Sequence, residues 1–146
     1  MIILGIESSC DETAVSICKG GKILSNIVSS QQIHNDYGGV VPEVAAREHD
    51  RLLNHLIIKS LDEANISLND LNGIGVTKGP GLAGTLLTGV SFAKGLSQSI
   101  NIPIIGINHL EAHIYANFLA YPKLKYPLVC LLVSGGHTQI WYIKNI

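Results

Sequence analysis

The chain opens on an apolar run closed by small polar residues, "IILGIESS", which predicts a short strand. "TAVSIC" and "KILSNIVSS" flank Gly20 and Gly21, and two such runs around a glycine pair predict a hairpin. The first three elements are therefore consecutive antiparallel strands. After the glycine-rich "DYGGVVP" the period changes. Pro42 suits the start of a helix, and Glu43 suits its first turn. Ala45, Leu52, Leu53, Leu56, Ile57 and Leu61 then form a wide apolar stripe at helical spacing. "NGIGVTKGPG" reads as a strand entering a glycine loop. "LAGTLLTGVSFAKGLSQS" reads as a helix whose three internal glycines imply close packing against a neighbour. "IPIIGIN" predicts a buried strand, "HLEAHIYANFLA" a helix, and "PLVCLLVSGGHTQIWYI" a strand, a tight polar turn and a second strand. Three strands followed by alternating helices and strands predict an α/β layer. Its mixed sheet is antiparallel at the opening and parallel where helices cross over.

The last hairpin resembles the first. "LVSGGHTQIWYI" repeats the scheme of "IESSCDETAVSI": an apolar run, a Ser-centred polar turn, a nearby Thr, then an alternating strand. Such a repeat predicts a duplicated domain whose second copy begins near Leu128. A two-stranded ribbon is marginal alone and leaves an apolar edge unpaired. The expectation is a first domain over residues 1–127 and the truncated start of a second over residues 128–146. The chain then reads as the amino-terminal part of a longer protein.

Composition narrows the class. With 146 residues, 47% of them hydrophobic and 14% charged, the chain can bury a core and lacks the signature of disorder. No apolar run reaches membrane-spanning length, and Met1 to Gly5 lacks the basic start of a signal peptide. Cys10, Cys18 and Cys130 have neither the count nor the spacing of a disulfide framework, which points to a reducing compartment such as the cytoplasm. A net charge of −1 gives no broad basic footprint, so a nucleic acid would be met locally or on a surface shared with a partner.

In "GINHLEAHIYA" two histidines lie four residues apart after a predicted strand. On a helix, His109 and His113 share a face and both imidazoles can reach one metal. The zinc-protease box places its glutamate directly after the first histidine. Glu111 stands two positions on and points away, so it is neither ligand nor base. A third donor, expected to be a carboxylate, must come from elsewhere; two His and a carboxylate suit Fe(II) or Zn(II). A pair at this spacing is as often a helix surface or a satisfied buried pair, but the carboxyl end of a strand is where α/β sheets place ligands.

Three turns are the other candidates. "LVSGGHT" exposes backbone N–H groups at Ser134, Gly135 and Gly136, a nest suited to phosphate, with His137 and Thr138 as further donors. By itself it reads first as an ordinary Gly-Gly hairpin turn. In "SSCDETA", Asp11 and Glu12 are adjacent acids after a strand, available to position a nucleophile or a cation, or simply solvated. Cys10 beside them reads as a small buried residue rather than a nucleophile. "TKGPGLAG" could hold an anion at a helix amino terminus with Lys78, but it lacks P-loop and Rossmann spacing and reads first as a strand-to-helix connection.

Together and in this order, "GIESSCDETA", "VVPEVAAREH", "KGPGLAGTLLTG", "NHLEAH" and "LVSGGHT" resemble the TsaD family, the tRNA N6-threonylcarbamoyladenosine enzymes once labelled glycoproteases. The resemblance covers essentially the whole chain. It implies the ASKHA fold, a duplicated actin-like and ribonuclease H-like architecture with a mixed sheet and helices on both faces. It also implies one iron ion (Fe2+) per subunit, held by His109, His113 and an aspartate of the second half. A pocket for the adenylate moiety would be lined by Leu132, Val133, Ser134, Gly135 and Gly136, and Asp11 and Glu12 would be the catalytic acids. The implied reaction transfers a threonylcarbamoyl group from threonylcarbamoyl-AMP to N6 of the adenosine beside the anticodon, in tRNAs reading codons that begin with A. Implied partners are a non-catalytic TsaB-type paralogue, bound through the helix at Val44 to Leu61, and a TsaE-type ATPase, with no membrane. Without its second half the chain is expected to hold iron weakly and not to turn over.

Three other readings compete. A metallopeptidase is disfavoured by the placement of Glu111. A sugar or acetate kinase on the same fold needs no paired histidines after "GIN". A silent partner subunit would be expected to lose "NHLEAH" and "SGGHT", both intact here.

Overall fold

Alternating apolar side chains build the sheet. In the computed structural model, which describes residues 1–133 and 138–145, β1 (Ile2–Glu7), β2 (Glu12–Lys19) and β3 (Lys22–Ser30) are consecutive antiparallel strands. Gly20 and Gly21, at φ 57° and 82°, form the turn between β2 and β3 that other residues would strain to make. Helix α1 (Pro42–Ala64) follows, then β4 (Gly73–Gly79), α2 (Ala83–Ile100) and β5 (Ile104–Asn108). β4 pairs parallel to β1 and β5 parallel to β4, giving the order β3-β2-β1-β4-β5. This is the mixed sheet that the alternation of elements predicts.

Register aligns the core. Ile27, Val15, Ile6 and Val76 are cross-strand neighbours in one row, and Ile17, Leu4 and Ile74 form the next. Leu53, Leu56, Ile57 and Leu61 of α1 and Ala93 of α2 close over both rows in one cluster. Each Leu or Ile buried this way contributes roughly 1.5–3 kcal/mol. Where α1 crosses β3 the contact is polar: Ser25 and Ser60 are both buried and meet Oγ to Oγ at 2.6 Å.

The glycines of α2 differ in their reasons. A Cβ on Gly89 would stand 2.2 Å from Ser8 Oγ, so the helix lies against the end of β1 only because that atom is absent. At Gly84 a Cβ would meet Ala46 of α1 at an ordinary 3.4 Å, and at Gly95 it would meet nothing within 4 Å. The close packing expected of all three thus holds for Gly89 and, loosely, Gly84, but not for Gly95.

Two short 3-10 turns, Gln32–Tyr37 and Leu68–Asp70, occupy stretches that the pattern leaves as loops. The first is tied down by buried His34, whose Nε2 lies 2.9 Å from Gln31 Oε1, while Gln31 Nε2 donates to Ala45 O. This brings the chain into α1, which has Pro42 in its first turn and no side-chain cap.

The chain forms two compact units, Met1–His109 and Leu110–Ile146. Helix α3 (His109–Ala120) begins on the last residue of the first. In the second unit, β6 (Leu128–Val133) and β7 (Thr138–Ile143) pair antiparallel, Val129 opposite Tyr142 and Leu131 opposite Ile140. These four side chains are all exposed, so the ribbon presents an apolar face. Among the described residues no helix is long and apolar enough to cross a membrane.

Candidate active site

Parallel pairing brings the carboxyl ends of β1, β4 and β5 to one edge of the sheet, where open α/β sheets hold their ligands. The apolar strand β1 ends in Glu7, a carboxylate that would be costly to bury without partners. It has several. Ser9 N–H donates to Oε1 at 2.6 Å, the Thr77 hydroxyl of β4 donates to Oε2, and Nδ1 of His109 lies 3.2 Å from Oε2. Burial pushes the Glu7 carboxyl up, but the hydrogen bonds from Ser9 and Thr77 and the charge of nearby His109 outweigh it and hold it below the usual carboxylate range. Ser9 Oγ also lies 3.3 Å from His109 Nδ1.

His109 is therefore held by residues from β1 and β4 as it enters α3. His113 stands one turn further along the same helix and is exposed. The His109 imidazole, with a carboxylate behind it, is a donor of a kind that metal sites use. Among the described residues no group of three His, Cys, Asp or Glu side chains gathers into a metal cluster.

Asp11 ends the turn after β1, beside this edge, and Glu12 is the first residue of β2. The turn is fastened from outside. Nε2 of fully buried His49 lies 3.0 Å from Cys10 O, its Nδ1 lies 2.8 Å from Thr13 Oγ1, and Gln31 N–H donates to Asp11 O at 3.0 Å. Asp11 is half-buried. Glu12 is exposed, and its Oε1 accepts from Ser30 Oγ on β3 at 2.9 Å. Cys10 is exposed rather than buried as expected, because β1 has already left the core there. Partial burial and the neighbouring Asp11 carboxyl push its thiol up, away from a nucleophilic thiolate.

The glycine loop before α2 is structural. Ser9 O accepts from Leu82 N–H at 2.8 Å and from Thr85 Oγ1 at 3.1 Å, and Ser8 Oγ donates to Thr85 O at 3.0 Å. A Cβ on Gly81 would lie 2.5 Å from Ser9 O. The start of α2 is thus spent on β1, which favours the strand-to-helix connection over an anion site with Lys78.

Of the expected adenylate residues, Leu132 and Val133 end β6, the first half-buried and the second exposed. Ser134, Gly135 and Gly136 lie outside the described residues, as does His137. Glu111 is exposed on α3 and, with Ile114, Tyr115, Trp141 and Tyr142, lines a cavity of about 450 Å³ in the second unit. Glu7, Ser9, Thr77 and His49 escape a reading by motif. The one signal was a carboxylate closing an otherwise apolar strand.

A mixed sheet of this order with helices packed on it defines an ASKHA, ribonuclease H-like protein. Its likeness to solved structures agrees: YeaZ from Pseudomonas aeruginosa superposes with a TM-score of 0.64 at 16% identity, covering 96% of this chain and 64% of that one. RuvC from Thermus thermophilus, solved with a Holliday junction substrate, gives 0.50 at 12% identity over 78% of this chain and 68% of that one. At these identities they establish the fold alone. The sequence profile of the TsaD family, tRNA N6-adenosine threonylcarbamoyltransferase, matches residues 22–145, and the chain belongs to that family. Curated relatives of that description are 58% identical in Thermosipho melanesiensis and 56% in Caldicellulosiruptor saccharolyticus, each over 99% of this chain. The chain spans 45% and 44% of their respective lengths.

Proposed function

We propose that this chain supplies the first half of an enzyme that transfers a threonylcarbamoyl group from threonylcarbamoyl-AMP to N6 of the adenosine beside the anticodon, in tRNAs reading codons that begin with A. The observation that carries this reading is the convergence of Glu7, Ser9 and His109 at one sheet edge, beside Asp11, in a chain whose residues 22–145 match the family and whose curated relatives align over 99% of it.

His109 and His113 would hold the metal, Fe2+ with zinc as the alternative, and a carboxylate from the remainder of the protein would be the third donor. Bound there, the ion would supply Lewis acidity toward threonylcarbamoyl oxygens. Asp11 or Glu12 orients the adenosine amine and takes its proton. Asp11 is the better placed, since its turn is anchored by His49 and Gln31 while the Glu12 carboxylate turns to Ser30. Backbone N–H groups at Ser134, Gly135 and Gly136, beyond Leu132 and Val133, would bind adenylate oxygens and steady AMP as it leaves.

The proposed partners are tRNA, a non-catalytic TsaB-type paralogue and a TsaE-type ATPase, in the cytoplasm. The exposed side of α1 between Val44 and Leu61, including Ile58 at 51% exposure, is the surface assigned to the paralogue. A net charge of −1 suits tRNA binding on a composite surface.

The test uses the protein at the length of its curated relatives, with its partners, threonylcarbamoyl-AMP and unmodified tRNA. Modified adenosine is measured by mass spectrometry of digested tRNA. His113→Ala should remove both bound metal and transfer; full metal occupancy in that variant would refute the ligand assignment, and absence of transfer by the intact protein would refute the function.

A further inference from the structure

We infer that His49 is a positioning residue for the proposed transfer, an assignment that rests on that reading: its buried ring clamps the chain on both sides of the candidate acids and fixes where Asp11 presents its carboxyl. From Ala45 to Ile57 the buried stripe of α1 is apolar except at His49. Ala45 and Leu53, one turn to either side, are fully buried, and so is the imidazole between them. A leucine would fill similar space without needing partners, whereas a buried imidazole costs stability unless its ring nitrogens are matched. Both are. A carbonyl only accepts, so Nε2 donates to Cys10 O at 3.0 Å, and Nδ1 accepts from the Thr13 hydroxyl at 2.8 Å. Cys10 and Thr13 bracket Asp11 and Glu12, so one rigid ring ties the chain just before the acid pair to the chain just after it.

The turn has no stiffness of its own. Ser8, Ser9, Cys10 and Asp11 include neither proline nor glycine, so its course is set from outside. Three successive carbonyls are taken by three different segments. Ser9 O accepts from Leu82 N–H and Thr85 Oγ1 around the start of α2, Cys10 O is held by His49 of α1, and Asp11 O accepts from Gln31 N–H after β3. Gln31 is fastened in turn, its Nε2 donating to Ala45 O one helical turn before His49. The holds on Ser9 O and Asp11 O include main-chain donors, which survive most substitutions. The hold on Cys10 O depends on the His49 side chain. Its loss frees the peptide that joins Cys10 to Asp11, and a misplacement of about 1 Å at a reacting group can cost about a hundredfold in rate. A histidine that only filled the core would lower stability when replaced and leave the chemistry at Asp11 unchanged.

Two measurements on the protein at the length of its relatives decide this. The first is a double-mutant cycle in the transfer assay with partners, threonylcarbamoyl-AMP and unmodified tRNA. His49→Leu fills the site and loses both bonds, while His49→Gln keeps a donor and an acceptor. His49→Leu should lower kcat about tenfold to a hundredfold, with His49→Gln recovering part of the loss. KM for tRNA should move less than about twofold, and in the Asp11→Asn background His49→Leu should cost less than about twofold more, because residues acting as a unit are not additive. Equal fold-losses in the two backgrounds, a loss confined to KM, or wild-type kcat in folded His49→Leu would each overturn the proposal. The second measurement is nitrogen-15 relaxation of the wild-type protein without substrate. Backbone amides of Cys10, Asp11 and Thr13 should be as rigid as those of β1 and β2, with order parameters of about 0.85, and values below about 0.6 would sink the clamp. It decides even if neither variant folds. Because it needs no activity, a wild type that fails to transfer refutes the function and leaves the clamp to be judged separately.

Discussion

Nε2 of His49 lies 3.0 Å from the carbonyl oxygen of Cys10, so a buried ring on α1 grips the turn that carries Asp11 and leads into Glu12 at the start of β2. Nε2 must carry the proton to meet a carbonyl, and Nδ1 therefore accepts from the Thr13 hydroxyl. His49→Ala would leave a cavity and strand a buried hydroxyl. It should cost about 2–4 kcal/mol in urea unfolding. A loss below about 0.5 kcal/mol would mean that the turn is held by other contacts.

The same ring makes stability depend on pH. Burial is the main cause that lowers the His49 pKa from its ordinary 6.5, against the opposing hydrogen bond to Cys10. The folded protein thus binds this proton more weakly than the unfolded chain, and unfolding takes up a proton below pH 6.5. The His49 contribution is complete above that value and drains away as pH falls toward the folded-state value. Urea midpoints at pH 7.5 and 5.5 should show a drop that shrinks in His49→Gln; an equal drop in both would assign it to other groups.

Two glycines of one helix should respond oppositely to the same substitution. Gly89→Ala sets a methyl 2.2 Å from Ser8 Oγ and should destabilise by about 1–3 kcal/mol. Gly95→Ala meets open space and should stabilise by roughly 0.5–1 kcal/mol. Thermal melting of the pair checks both signs.

Asp11 and Glu12 are neighbours in sequence but not in surroundings. In the protein at the length of its relatives, if it has the proposed activity, Asp11→Asn should lower kcat for transfer about a hundredfold or more, the usual scale for a positioned acid or base. Glu12→Gln should cost less, because that side chain is exposed and engaged with Ser30 on the side of β3. Single-turnover rates at saturating substrate compare them, and equal losses would contradict the distinction.

Most of the architecture was legible because it rests on local periodicity. Alternation in "TAVSIC", the stripe from Ala45 to Leu61 and the Gly20–Gly21 pair each carry their own physical signal, and each element stands where that signal put it. The 3-10 turn at Gln32–Tyr37 left no periodic trace, since its hold is a pair of side-chain contacts through Gln31 and His34. Cys10 misled because a small apolar residue between polar neighbours gives no hint of which side of the turn faces solvent.

The amino-acid sequence alone determined the order of elements, the mixed sheet, the family and the spacing of His109 and His113, all of which depend on residues near one another along the chain. Only the tertiary structure decided that Glu7 meets a histidine 102 positions away, that His49 braces the Asp11 turn, and that Gly89 and Gly95 differ. Those facts depend on strand register and helix docking. Such quantities arise only when the whole core closes, and no short stretch of residues encodes them.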